Sequence, residues 1–190
     1  MVNSVKPARE NALDAAFNEF CRTGDISMRN VGNAAGVTAA ALYYHFASKQ
    51  KLLDSIADRG FGMFETRLRA VWGGKPLDVV HVILDAYRQF AADQPNLFGL
   101  MFVEPRPSAR KFPDDFGTHR SAVFNRLWKA VGECMGEPVD GDHSDSLYLA
   151  HDLWALTHGQ ILLWRAGRFS DERSFRDVLS GSIDRFLDSL

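Results

Sequence analysis

The chain has 190 residues, 46% hydrophobic and 24% charged, with a net charge of −2. That length and composition allow a sizeable core without staples, and the near-neutral balance excludes a protein that is basic throughout. Cys21 and Cys134 are the only cysteines; two isolated thiols make no disulfide framework and no metal-binding spacing, and they fit a reducing compartment.

Nearly every segment carries the helical period, and no alternating strand pattern persists. Ala12, Leu13, Ala16, Phe17 and Phe20 form one apolar stripe, with Pro7 as a first-turn residue and Gly24 as the stop. Ser27 is placed to cap a second helix with Met28, Val31 and Ala35 inward. Gly36 breaks it, and Thr38 caps a short third helix running to about His45. Ser48 caps a fourth, carrying Leu52, Leu53, Ile56, Phe61, Phe64 and Leu68. Gly73, Gly74 and Pro76 mark a break, and Leu77–Asp93 follows with Val80, Leu84, Tyr87 and Ala91 on one side. Pro95 ends that helix, Asn96–Val103 is a short apolar segment, and residues 104–117, with three prolines, are the clearest loop. His119–Met135 is helical again, GEPVDGDHSD is a second loop, and Ser146–Ala166 and Asp171–Leu190 are two long helices parted by Gly167. The expectation is an all-α chain of about nine helices, with a short-helix domain over residues 1–47 and a larger helical domain over 48–190.

The stretch GVTAAALYYHFASK, residues 36–49, carries the sharpest functional signal. Two short helices joined at a glycine have the grammar of a helix-turn-helix. In such a unit the second helix enters the DNA major groove, and Val37, Leu42 and Phe46 would point inward. Small side chains at Ala39 and Ala40 would let its backbone approach base edges in a groove only about 12 Å wide. Tyr43, Tyr44 and His45, at the far end, would reach phosphates, which position a protein without reading sequence. The fourth helix opens Lys49-Gln50-Lys51, which disfavours its own dipole and suits an approaching phosphate. Between residues 29 and 51 there are three basic side chains and no acidic one.

LDAAFNEF, SMRNVGNAAGV and LYYHFASKQKLL together resemble the DNA-binding domain of the TetR family of transcriptional repressors over residues 9–60. The resemblance implies an all-α homodimer whose first three helices bind double-stranded, pseudo-palindromic operator DNA and whose larger domain binds a small effector. It implies phosphate contacts from Ser27, Tyr43, Tyr44, His45 and Lys49, and base or near-base contacts from Arg29, Thr38, Ala39 and Ala40. The link GDIS is shorter than usual in the family, and Ala39 stands where a lysine is common, which leaves Arg29 as the best base reader. The pattern Trp154-x-x-x-His158-Gly159, with YRQFAADQPNLFGLMF at 87–102, resembles a C-terminal type named for Trp, His and Gly. The family further implies that the last two helices form the homodimer interface. Gly159 in mid-helix then calls for a close helix–helix contact to justify its cost.

The effector cavity is expected among the middle helices. Phe64, Tyr87, Phe90, Phe98 and Met101 are candidate lining residues, as are Phe102, Phe124, Trp128, Trp154 and His158. Aromatics at helical spacing also make plain core, but together they suggest an apolar or aromatic ligand. His151 and His158 lie two turns apart, roughly 10 Å, so one ion does not bridge them, and no metal site is expected. No nucleophile–base pair, phosphate loop or cofactor motif occurs, so neither catalytic residues nor a cofactor are expected. The opening MVNSVKPARE lacks the apolar run of a signal peptide, and no run approaches the roughly 18 apolar residues of a membrane span, which suggests a cytoplasmic location and no membrane partner. The alternative to a ligand-responsive repressor is a helical ligand carrier or enzyme that keeps a vestigial DNA-binding head.

Overall fold

The computed structural model describes residues 7–69, 74–116, 121–137 and 144–189. Among them are nine helices: α1 (Ala8–Thr23), α2 (Met28–Ala35), α3 (Ala39–His45), α4 (Lys49–Arg69), α5 (Pro76–Asp93), α6 (Pro95–Phe102), α7 (Ala122–Met135), α8 (Asp145–Arg165) and α9 (Glu172–Leu187). No strand occurs among the described residues.

The expected caps hold. Ser27, Thr38 and Ser48 accept hydrogen bonds from the backbone N–H groups of Asn30, Ala41 and Lys51 at 3.4, 3.1 and 3.1 Å. Gly24 and Gly36 end α1 and α2 in the left-handed region, at φ 78° and 68°. The boundaries differ in detail. Pro7 is the N-cap of α1, one position before its first helical residue. The 96–103 segment is a helix, with Pro95 in its first turn, where a missing N–H costs nothing. α7 begins at Ala122 behind a Ser121 cap; the expected start at His119 and the break at Gly73 lie outside the described residues. Ser144 and Asp171 cap α8 and α9.

The chain forms two compact units, Met1–Met63 with Ala92–Ala109, and Phe64–Ala91 with Arg110–Leu190. In the first, α1 packs on α2, α3 and α6. Ala12, Ala16, Phe20, Ile26, Val31 and Leu42 make its buried heart. Arg59 of α4 pairs with Glu10 and Asp14 of α1, its guanidinium over the Phe17 ring. α4 and α6 approach closely at Gly60, where an added Cβ would meet the Met101 sulfur at 2.5 Å. Below them Arg106 is almost fully buried, 4.0 Å from the Asp54 carboxylate and over the Phe61 ring. Ser108 donates to the same Asp54 at 2.8 Å, so the chain following α6 is tied back to α4.

In the second unit α7 packs on α8, and α8 on α9. Val80, Leu84, Tyr87 and Phe90 of α5, Phe124, Leu127, Trp128 and Val131 of α7, and Leu147, Leu153 and Ile161 of α8 are buried. The turn into α9 is held by Phe175, stacked on Trp164 with ring centroids 5.2 Å apart. At Gly159 the expected close contact is not met among the described residues: an added Cβ would find none of them within 4 Å.

Candidate nucleic-acid interface and aromatic site

α2 and α3 are built as the sequence suggests, with one addition. The amide of Gly36 bonds the carbonyl of Asn33, and that of Val37 the carbonyl of Gly32, so two end carbonyls of α2 are satisfied inside the turn. Gly32 is buried, and a Cβ there would stand 3.0 Å from the Val37 carbonyl oxygen. The turn therefore needs two glycines: Gly36 for its dihedral and Gly32 for room. A glycine inside an eight-residue helix is the signal that points to the second.

Leu42 and Phe46 are buried beneath α3, whereas Val37 is only half-buried. The opposite face is bare. Thr38, Ala39 and Ala40 are exposed, as is Arg29 on α2. Tyr43 is 50% exposed and Tyr44 87%, an extreme value for an aromatic side chain that the fold holds out in water. The Tyr44 ring meets His45 edge-on at 5.5 Å. Ser27 lies half-buried at the start of α2. The nine residues expected at DNA thus fall in α2, α3 and the helix starts around them, and all but the half-buried Ser27, His45 and Lys49 are exposed.

The acid-free window between residues 29 and 51 is misleading in space. Lys49 Nζ lies 2.7 Å from Asp25 Oδ1, and Lys51 Nζ 3.9 Å from Asp54. The hydrogen bond from Lys49, then the backbone amide of Ile26, hold the Asp25 carboxyl below the usual carboxylate range. Glu19 accepts from the Ser27 amide at 3.3 Å and from the Asn30 side chain at 3.4 Å, tying the start of α2 to α1. Glu19 and Asp25 precede the 29–51 window and Asp54 follows it, so a charge count confined to the window contains none of them.

The candidate effector residues separate. Phe98, Met101 and Phe102 belong to the first unit, where Phe102 packs edge-on against Phe61 at 5.4 Å. The other seven belong to the second. There Tyr87 Oη and His158 Nδ1 are 2.7 Å apart. Which of the two donates is set by the tautomer of the His158 imidazole. The Trp154 indole, which can only donate, slightly favours the ionised Tyr87 oxygen. Burial raises the Tyr87 phenol above its usual range, the Trp154 indole opposing slightly. Burial, then the charge of Arg165, lowers His158, so it is neutral at neutral pH. Phe64 packs on Tyr87 and Phe90 at 5.8 and 5.0 Å, and Trp154 lies 6.4 Å from Phe124. Trp128 stands apart: fully buried, its N–H engages Ser144 and Ser146 at 3.2 and 3.0 Å, a tie between α7 and the start of α8.

Two aromatics of the proline-rich loop join this seam without having been expected there. Phe112 stacks on His151 at 3.9 Å, and Phe116 packs against Phe124 at 4.9 Å. Among the described residues no group of three or more His, Cys, Asp or Glu could hold a metal ion, and no helix is long and apolar enough to cross a membrane.

Comparisons with known proteins agree with this architecture. Residues 12–56 match the family of bacterial regulatory proteins of the tetR type, and residues 80–190 match the tetracyclin repressor-like C-terminal domain. The chain is 26% identical over 151 residues to an uncharacterized HTH-type transcriptional regulator of Haemophilus influenzae, covering 75% of this chain and 68% of that one. It is 35% identical over 85 residues to the HTH-type transcriptional regulator AcrR of Shigella flexneri, covering 42% of this chain and 40% of that one. A solved protein of unknown function from Rhodococcus sp. RHA1 superposes with a TM-score of 0.75 at 25% identity, over 100% of this chain and 98% of that one. The two domain matches and the Haemophilus and Shigella relatives are those of regulators rather than enzymes, and the chain belongs to the TetR family of DNA-binding transcriptional regulators.

Proposed function

We propose that the protein is a homodimeric repressor that grips a pseudo-palindromic operator and is released by a small apolar or aromatic effector. The observation that carries the reading is the bare, exposed face of α3, with Ala39 and Ala40 at its front and Tyr43 and Tyr44 at its rear over buried Leu42 and Phe46. On this reading Arg29 reads a base edge, and Thr38, Ala39 and Ala40 fit against the groove floor. Ser27, Tyr43, Tyr44, His45 and Lys49 hold phosphates. The alanines read no hydrogen-bond pattern, so specificity leans on Arg29, thymine methyls and DNA shape.

The dimer reading draws on exposed apolar side chains of α8 and α9, Leu163 and Val178 among them, and on the open space at Gly159. The effector reading draws on the aromatic seam, in which Tyr87, Trp154 and His158 are the few polar groups that would orient a ligand. Effector binding represses or releases only by preferring one spacing of the two DNA-binding heads. A regulator of this kind works in the cytoplasm, beside the DNA.

The test is selection of duplexes from a random pool, followed by anisotropy titrations. Arg29→Ala is expected to lose about 1–3 kcal/mol on the selected site and to relax specificity at one position per half-site. Tyr44→Phe is expected to weaken all sequences alike. Unchanged binding by both variants at moderate salt, or a guanine-dominated site opposite Ala39 and Ala40, would refute the groove assignment.

A further inference from the structure

We propose that Asp25 competes with DNA phosphate for Lys49 and so holds down the sequence-independent affinity of the DNA-binding head. The inference rests on the reading of Lys49 as a phosphate contact. Lys49 is the first residue of α4, whose opening turn contains no acid. Its ammonium is nonetheless already engaged, 2.7 Å from Asp25 Oδ1. Asp25 is set in place by the short link after Gly24. Thr23 Oγ1 donates to the Asp25 carbonyl at 2.7 Å and accepts from the Asp25 amide at 3.3 Å. The Asp25 side chain is 76% exposed and that of Lys49 44%, and a pair so open to water adds little to folding stability. Its consequence lies at the surface. A phosphate arriving at Lys49 must displace a carboxylate rather than a loosely held counterion. Glu19, on the Ser27 amide, places a second carboxylate at the neighbouring start of α2.

The driving force for phosphate contacts is release of counterions condensed on DNA, and each contact steepens the salt dependence by about 0.9. A lysine neutralised from within contributes less of this. Base reading through Arg29 is untouched, so the acid lowers affinity for all sequences alike, as loss of any phosphate contact does.

The test uses the full chain, a 20-bp duplex of unrelated sequence as probe, and anisotropy titrations across a range of KCl concentrations. Wild type, Asp25→Asn, Lys49→Ala and the double variant are compared, with thermal melts to confirm folding. Asp25→Asn is expected to bind about 3–10-fold tighter at 0.1 M KCl, with the salt slope steeper by about one per bound protomer, and to change neither in the Lys49→Ala background. If Lys49→Ala weakens binding while Asp25→Asn leaves affinity and slope unchanged, the inference fails and the phosphate reading of Lys49 stands. Equal tightening in both backgrounds reduces Asp25 to general repulsion and overturns the pairing, as does weaker binding by Asp25→Asn. Unchanged binding by Lys49→Ala sinks the phosphate reading itself.

Discussion

Tyr87 Oη of α5 and His158 Nδ1 of α8 share a hydrogen bond 2.7 Å long, which ties residues 71 apart in sequence. Because the Tyr87 ring is buried, the phenol has no bulk water to turn to. Tyr87→Phe keeps the ring and removes the hydroxyl, and with it the bond to His158 Nδ1. Leaving such a group short inside a protein costs about 1–3 kcal/mol, whereas an exposed Tyr→Phe change is near neutral. Urea denaturation with an unchanged m-value should show the loss as a lower midpoint. An unchanged midpoint would mean that the bond contributes nothing to the fold.

The same histidine makes stability depend on pH in a predictable direction. Burial, then Arg165, lowers the His158 pKa in the folded state. As pH falls below the unfolded value of about 6.5, the unfolded chain takes up a proton that the folded chain refuses. More protons are bound by the unfolded state, so stability falls as the medium is acidified through that window and is regained above it. His158→Gln should flatten this part of the curve. Melting midpoints of wild type and variant between pH 5 and 7.5 test the sign, and a wild-type curve that falls no faster than the variant's on acidification contradicts it.

What was legible in the sequence follows how local the physics is. Ser27, Thr38 and Ser48 act on amides three residues away, so a cap can be read without knowing the fold, and all three are in place. Buried Leu42 and Phe46 followed from a helical period. Long-range pairings were not legible. The Lys49–Asp25 pair joins residues across an intervening helix-turn-helix, and a net-charge window cannot see it. Phe98, Met101 and Phe102 share aromatic or apolar character with Phe64 and Tyr87 but belong to a different compact unit, because residues 92–109 return to the N-terminal helices. Phe112 and Phe116 lie in a stretch whose three prolines read as a loop, although their rings reach His151 and Phe124.

Gly32 and Gly36 support the α2–α3 turn by different means, and substitution separates them. At Gly36 an added Cβ meets nothing, and only the φ of 68° opposes it. Gly36→Ala should cost about 1–2 kcal/mol, and Gly36→Asn less, because asparagine tolerates the left-handed region. At Gly32 the dihedral is ordinary, but the Val37 carbonyl oxygen stands 3.0 Å from the new Cβ, and backbone cannot swing aside as a side chain can. Gly32→Ala should cost about 1–3 kcal/mol and push α3 outward, weakening DNA binding beyond the loss of stability. Titrations at a temperature where each variant stays folded make the comparison. Equal DNA affinity for Gly32→Ala and Gly36→Ala would show that the space at Gly32 does not set the position of α3.

Gly159 offers a test of the proposed dimer that does not depend on DNA or effector. Among the described residues its Cβ position is open to 4 Å, and none of them explains a glycine in the middle of α8. Alanine there should stabilise an isolated helix by about 1 kcal/mol. If α8 instead lies against its copy, the added methyl intrudes on a packed surface and costs about 1–3 kcal/mol at the interface. The two effects have opposite signs, and a dimer's melting midpoint depends on protein concentration. Gly159→Ala is expected to raise the dimer dissociation constant in sedimentation experiments and to lower the melting midpoint. A variant that melts higher and sediments as the wild type does would place Gly159 away from the partner and count against pairing through this part of α8.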